Sequence, residues 1–333
     1  MTFASSPATS SLVTGLAVSL AVAASSALMA SLPGMAASGF GWLPLAVALG
    51  IVAGNLWPSL PARGAEGFRL ARGTLMRAGI ALYGLRIGMD ELGGVGWSGL
   101  AMALAIVFTT LVLALALGRR LGLTTQLALL IGCGSAICGA AAVAAADSVI
   151  NARARHVSAA VLAVVVFGTL GMYLLPLLRP LSGLDDLSFG LWVGLTVHEL
   201  GHVVAGAASA GPAAAASALV EKMMRVMLLA PVIMCIAAGV GVSSQRRAGV
   251  PLFMYGFVSV VALNASGLLP GEVHTAGATV AQALLATGLA ALGANTRLAD
   301  MARAGWRVWV LASLLWFWLL FAGFCLVSLG AAS

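Results

Sequence analysis

Residues 127–146 read LALLIGCGSAICGAAAVAAA, a run apolar enough for a lipid bilayer but interrupted at its centre by Gly132, Gly134 and Gly139. Each glycine inside a helix costs about 1 kcal/mol relative to alanine, so this centre makes a poor helix interior. Irregular backbone at membrane depth is tolerated only where it is buried in protein or lines a cavity. The run is therefore read as two half-helices meeting at a glycine break inside the membrane. The competing reading is a glycine-lined packing face for a neighbouring helix.

The remainder of the chain agrees with lipid as its solvent. Of 333 residues only 8% are charged, 17 Lys+Arg against 10 Asp+Glu, while 61% are hydrophobic and the mean hydropathy is +1.07. Soluble globular chains carry about 25% charged residues, so a soluble enzyme and a disordered chain are both excluded. The net charge of +7 does not point to nucleic acid, because the basic residues are scattered between apolar runs rather than gathered on a stripe. Cys133, Cys138, Cys235 and Cys325 all lie in apolar stretches and read as small core residues, not as a disulfide framework. The run at 12–32 has no basic residue ahead of it, unlike a secretory signal, and is kept as the first span.

At about 20 mostly apolar residues per crossing, eleven spans are expected, at 12–32, 42–58, 68–88, 97–117, 124–150, 156–178, 187–208, 213–241, 250–269, 273–294 and 306–330. Alternating crossings put Arg63, Arg69, Arg72, Arg119, Arg120, Arg179, Arg246, Arg247, Arg297, Arg303 and Arg307 on the side of the N-terminus. Only Arg86, Arg153 and Arg155 fall on the other side. The positive-inside rule then places the N-terminus in the cytoplasm and the C-terminus in the periplasm. A re-entrant 124–150 would flip everything after it and divide the basic residues evenly, so a full crossing is favoured there. Trp306, Trp309, Trp316 and Trp318 read as interface anchors and lipid-facing bulk of the last span.

Residues 79–97 (GIALYGLRIGMDELGGVGW) match 288–306 (GLAALGANTRLADMARAGW) without gaps. Gly79, Ala81, Gly84, Gly96 and Trp97 meet Gly288, Ala290, Gly293, Gly305 and Trp306. A weaker register sets 127–132 against 283–288. Either one relates spans of opposite direction, the trace of an inverted-topology repeat. The expected fold is an all-α integral membrane protein with broken helices, one polytopic domain over 1–333. It has a peripheral first span in 1–40, an N-terminal repeat half at 41–180 and a C-terminal half at 181–333.

Two clusters of polar residues fall inside spans. His198-Glu199-Leu200-Gly201-His202 lies in the seventh and Glu221-Lys222-Met223-Met224-Arg225 in the eighth, with a tight Gly211-Pro212 turn between. His198 and Lys222 are each twelve residues from residue 210, or about 18 Å of helix, so the two clusters should face one another near the bilayer middle. Charges at that depth pair with each other or line a pathway. Glu221 and Arg225 can pair along their own helix at i,i+4, which would leave Lys222 and Glu199 less committed. Asn264 in the ninth span and Asp147 at the end of the fifth could line the same cavity or bond a neighbouring backbone. Arg77 and Arg86 lie in the third span, where Arg86 can snorkel outward.

His-Glu-x-x-His on a helix is also the signature of zinc proteases, and VHELGHVVAG looks like the string of an intramembrane metalloprotease. Such a site needs a third ligand. The only later Asp is Asp300, in a basic loop, and His274 could serve only if its span bent inward. The protease is the alternative reading; no metal, cofactor or enzymatic activity is expected.

Five strings, GIALYGLRIG, IGCGSAICGAAAVAA, VGLTVHELGHVVAGA, VEKMMRVMLLAP and LAALGANT, resemble in order the motifs of the YeiH family, bacterial inner-membrane proteins that carry a sulfate-exporter label. The resemblance runs from about residue 40 to the end. It implies an inverted-repeat transporter fold similar to the bile acid and sodium symporters, with a core of crossed broken helices moving against a panel. In that family the position of His202 is often Gln, which argues against zinc.

The expected function is secondary transport of a small anion, sulfate or an organic sulfonate, across the inner membrane by alternating access. The anion would sit at Gly134, Ser135, Ile137, Cys138 and Gly139, where a half-helix points its N-terminal N–H groups at the substrate. Lys222 and Arg225 would balance its charge, with Asn264 nearby. His198 and Glu199 would carry a coupling proton, and unwound carbonyls at the break offer sodium an alternative seat. Beyond substrate, coupling ion and lipid, a second copy of the chain is a candidate partner.

Overall fold

A computed structural model describes residues 7–32, 42–87, 89–240 and 252–331, and every regular element among them is helical. In chain order these are α1 (Pro7–Ala30), α2 (Trp42–Leu56), α3 (Ala65–Leu70), α4 (Met76–Tyr83), α5 (Met89–Arg120), α6 (Thr125–Cys133), α7 (Ala140–Ile150) and α8 (Ala154–Ser182). There follow α9 (Asp186–Thr196), α10 (Leu200–Ala207), α11 (Pro212–Met227), α12 (Leu229–Val240), α13 (Leu252–Ala265), α14 (Gly271–Ala294), α15 (Leu298–Arg303) and α16 (Trp306–Ala331). Five stretches among the described residues are long and apolar enough to cross a bilayer: Thr9–Ala30, Val95–Arg120, Arg155–Ser182, Gly271–Ala294 and Trp306–Gly330. The chain is thus an all-α membrane protein. Arg246 and Arg247 lie outside the described residues.

The helices form two compact units interleaved in sequence, Met1–Gly88 with Leu252–Leu298, and Met89–Pro251 with Ala299–Ser333. In the first unit, small residues let backbones approach, as expected where lipid offers helices no hydrophobic drive to associate. A Cβ at Gly54 of α2 would lie 2.0 Å from Ala294 O of α14, and one at Gly67 of α3 would lie 2.3 Å from Leu12 O of α1. Asn55 Nδ2 closes the contact between α2 and α14 by donating to Thr296 O at 2.9 Å.

The longer of the two repeat registers has matching environments. Gly79 of α4 packs on the Ala281–Leu285 turn of α14, and Gly288 of α14 packs back on Met76 and Ala71. Gly84 touches α13 at Phe257 and Val261, while Gly293 touches α2 at Val47 and Gly50. Both copies then run through a short helical stretch to a glycine with positive φ, Gly96 at 44° and Gly305 at 83°. An exposed tryptophan follows each, Trp97 and Trp306, at the start of a long helix. The weaker register instead sets α6 of the second unit against α14 of the first.

In the second unit two of the segments read as spans double back on themselves. Segment 124–150 is two half-helices meeting at Gly139, and they double back there as a hairpin: a Cβ at Gly134 would lie 2.8 Å from the Val143 side chain. Nine residues of continuous helix would separate such positions by about 13.5 Å. The turn is a π-helical Gly134–Cys138 followed by Gly139 at φ 67°, a backbone that favours glycine. Segment 187–208 folds back as well. α9 and α11 start level and run in the same direction, with Ser217 Oγ donating to Leu187 O at 3.1 Å and Lys222 Nζ to Val197 O at 2.7 Å. The chain must therefore return along α10 between them, and the extended residues Val197 and Glu199 make the turn. Gly190 and Gly194 allow the close approach, since Cβ atoms there would lie 2.3 Å from Ala214 O and 2.6 Å from Ala218 O. Each first arm opens on a side-chain N-cap, Thr124 accepting from Leu127 N and Asp185 from Ser188 N.

Candidate functional site

The two hairpin tips meet, and α11 is what fastens them. Arg225, fully buried, donates from Nε to Ala136 O at 2.8 Å and from Nη2 to Ser135 O at 2.7 Å on the first tip. Its Nη1 donates to Gly194 O at 2.8 Å and Leu195 O at 2.6 Å on the second hairpin. Those last two carbonyls belong to the final turn of α9, which has no intrahelical donor of its own and carries the negative end of the helix dipole. Lys222, equally buried, serves the same end through Val197 O. Arg225 is therefore a clasp between the hairpins rather than the free counter-charge expected for a substrate.

The positive helix end is also occupied. Glu199 Oε1 accepts from Ala140 N, the first residue of α7, at 2.6 Å. The carboxyl group fills the space over Gly139, where a Cβ would lie 2.1 Å from Oε1. The N-terminus expected to receive a substrate anion thus holds an anion of the protein's own.

The expected pairing of Glu221 with Arg225 is corrected too. Among the described residues no ion pair joins them, and both Glu221 oxygens are buried without a hydrogen-bond partner. The carboxyl faces α5, where a Cβ at Gly99 would lie 2.6 Å from Oε2. The arginine takes carbonyls instead because the two tips present four of them within its reach.

His198 and His202 are both buried in the same region. His202 Nε2 lies 3.3 Å from Thr169 Oγ1 on α8, and its Nδ1 faces Gly168. His198 Nδ1, His202 Nδ1 and Ser135 Oγ have no partner. The two histidines do not share a helix, since α10 begins only at Leu200. The i,i+4 geometry that a zinc protease requires of this motif is therefore missing, and no cluster of three His, Cys, Asp or Glu suited to a metal occurs among the described residues.

Of the other expected site residues, Gly134, Ile137 and Cys138 are buried at the first tip. Asn264 belongs to the first unit and donates to Ile87 O at 3.0 Å, bonding a neighbouring backbone. Asp147 bonds Ala152 N at 2.9 Å and closes the end of α7. Thr169 and Gly99 are site neighbours that the sequence reading missed. The Gly190-x-x-x-Gly194 spacing was a legible signal for the close approach of α11.

The family model described as "Conserved hypothetical protein 698" matches residues 14–312. The UPF0324 membrane protein PA5383 of Pseudomonas aeruginosa is 40% identical, covering 96% of this chain and 95% of its own. The UPF0324 inner membrane protein YeiH of Escherichia coli K12 is 37% identical over 93% and 92%. No solved structure matches. With a family model and relatives of this similarity spanning nearly the whole chain, it belongs to the YeiH (UPF0324) family of membrane proteins.

Proposed function

We propose that the chain is a secondary transporter of the bacterial inner membrane that carries a small anion, sulfate or an organic sulfonate, at the junction of the two hairpin tips. The observation that carries this reading is the seating of the Glu199 carboxylate on the N-terminus of α7. A helix N-terminus binds anions through its free N–H groups and its dipole, and this one lies inside the unit beside two buried cations.

With 124–150 and 186–207 as re-entrant hairpins, the chain crosses the bilayer nine times. The hairpins then enter from opposite faces. Each element of α2, α4, α5, first hairpin and α8 has an inverted partner in α13, α14, α16, second hairpin and α11–α12, a permuted inverted repeat. Two flips cancel, so Arg63, Arg69, Arg72, Arg119, Arg120, Arg153, Arg155, Arg297, Arg303 and Arg307 fall on the cytoplasmic side, leaving Arg86 and Arg179 on the periplasmic side. The N-terminus remains cytoplasmic and the C-terminus periplasmic. Alternating access at the tips, with a proton carried by Glu199 and His198, is the mechanism that fits an inverted repeat.

Uptake of labelled sulfate or methanesulfonate into proteoliposomes under an imposed pH gradient tests the reading. Lys222→Ala is expected to reduce uptake at least tenfold in protein that still elutes as one folded species; undiminished uptake would remove the anion site from these tips.

A further inference from the structure

We propose that Glu199 is a tethered competitor of the transported anion: its carboxylate occupies the substrate's own seat at α7 and leaves when it takes up a proton. This inference rests on the transport reading above. It goes further by assigning a place and an order to the coupling step.

Three observations on the two tips support it. Glu199 reaches Ala140 N from a residue 59 positions away, across the junction of two separate hairpins, so the bond breaks if either tip moves. Gly139 holds a φ of 67° and has no side chain, and both properties leave room for a group over the helix end. Nearby donors are also unspent. Lys222, fully buried, gives Val197 O one of its three N–H bonds, and the buried Ser135 Oγ has no partner. A second anion at this place would find an ammonium and a hydroxyl as well as the helix end.

The groups facing Glu199 define what its protonation would change. The first tip contributes Cys138, and α11 contributes Lys222, with Arg225 acting on Cys138. Its own hairpin brings His198 and His202, while the α8 residues packed against that hairpin, Gly168, Thr169, Gly171 and Met172, carry no charge. With the carboxylate seated, its negative charge balances Lys222 and the end of α7. On protonation the neutral acid no longer does so, and an external anion restores the balance. One proton is bound per anion seated, and no covalent bond is made or broken.

Binding of inorganic sulfate and of methanesulfonate to the purified protein, measured by isothermal titration between pH 5.5 and 8.5, tests the proposal. Wild-type affinity is expected to fall with rising pH, approaching tenfold per unit once the carboxylate is the prevailing form, since one proton is linked to one anion. Glu199→Gln keeps an oxygen that can accept from Ala140 N but carries no charge. It should bind the probe with little pH dependence, and more tightly than wild type at pH 8.5. In weakly buffered solution at pH 8, sulfate should draw about one proton into wild type and none into the variant. A Glu199→Gln protein that binds with an unchanged pH profile, or still takes up a proton, overturns the tethered competitor and leaves the anion site standing. No binding of either probe to either protein at any pH overturns both.

Discussion

Arg225 Nε donates to Ala136 O at 2.8 Å across 89 residues of sequence, and the same guanidinium holds the end of α9. One buried cation thus joins the two hairpins, which Glu199 also bridges by accepting from Ala140 N. Charge-assisted hydrogen bonds contribute about 1.5–3 kcal/mol each, and deleting this donor orphans buried carbonyls on both tips. Arg225→Met is therefore expected to lower the thermal midpoint by ten degrees or more, on the order of 3–5 kcal/mol. Arg225→Lys should recover only part of the loss, since an ammonium cannot bridge four carbonyls in a planar fork. Thermal unfolding in detergent reads both.

Glu221 behaves oppositely: among the described residues no hydrogen bond or salt bridge holds its carboxyl group, which Arg225 and Lys222 reach only through charge. Glu221→Gln keeps the shape and removes a buried charge, so its thermal midpoint should equal or exceed that of wild type. Glu221→Ala opens a cavity between α5 and α11 and should cost roughly 2 kcal/mol. A Gln variant that unfolds well below wild type would mean that attraction to Arg225 and Lys222 outweighs the cost of burying the carboxylate.

Gly139 is the position where the tip turns and where Glu199 lies. An alanine there takes a positive φ, at about 1–2 kcal/mol, and places its Cβ on the Glu199 carboxyl. Gly139→Ala should lose anion uptake almost entirely while shifting the midpoint by only a few degrees. Uptake near the wild-type rate would show that the tip is not the substrate's seat.

The nine-crossing arrangement makes a sidedness prediction. In a background without native cysteines, Gly122→Cys and Arg155→Cys should both react with an impermeant maleimide from the cytoplasmic side. Leu184→Cys and Ser209→Cys should both react from the periplasmic side. Labelling of Gly122→Cys and Arg155→Cys from opposite faces would restore a full crossing at 124–150.

The sequence carried the all-α membrane character and misled at the two chain reversals and at the partners of Glu221 and Arg225. The register of 79–97 on 288–306 led directly to glycines and tryptophans with matching environments, because positive φ and close backbone approach both demand particular residues. His198 and Glu199 do lie within electrostatic reach of Lys222 on α11, whereas His202 packs against α8 instead. Charge segregation could not reveal the hairpins, because one re-entry would divide the basic residues evenly whereas two together would restore their segregation. The arms are short, α9 having 11 residues or about 16 Å of helix, but the apolar run 187–208 conceals the turn at Val197 that ends it. The Glu221 and Arg225 partners were out of reach for a different reason. Spacing of i,i+4 fixes proximity along one helix, and it cannot weigh that contact against four carbonyls brought in by chain reversals elsewhere.

The central claim is that an anion is moved at the hairpin junction. Its most direct test is the current evoked when sulfate or methanesulfonate is rapidly applied to proteoliposomes on a solid-supported membrane with an imposed pH gradient. Wild-type protein should give a saturable, gradient-dependent transient that Lys222→Ala and Gly139→Ala both abolish. A signal that is absent for both anions in wild type, or persists unchanged in both variants, would contradict the account.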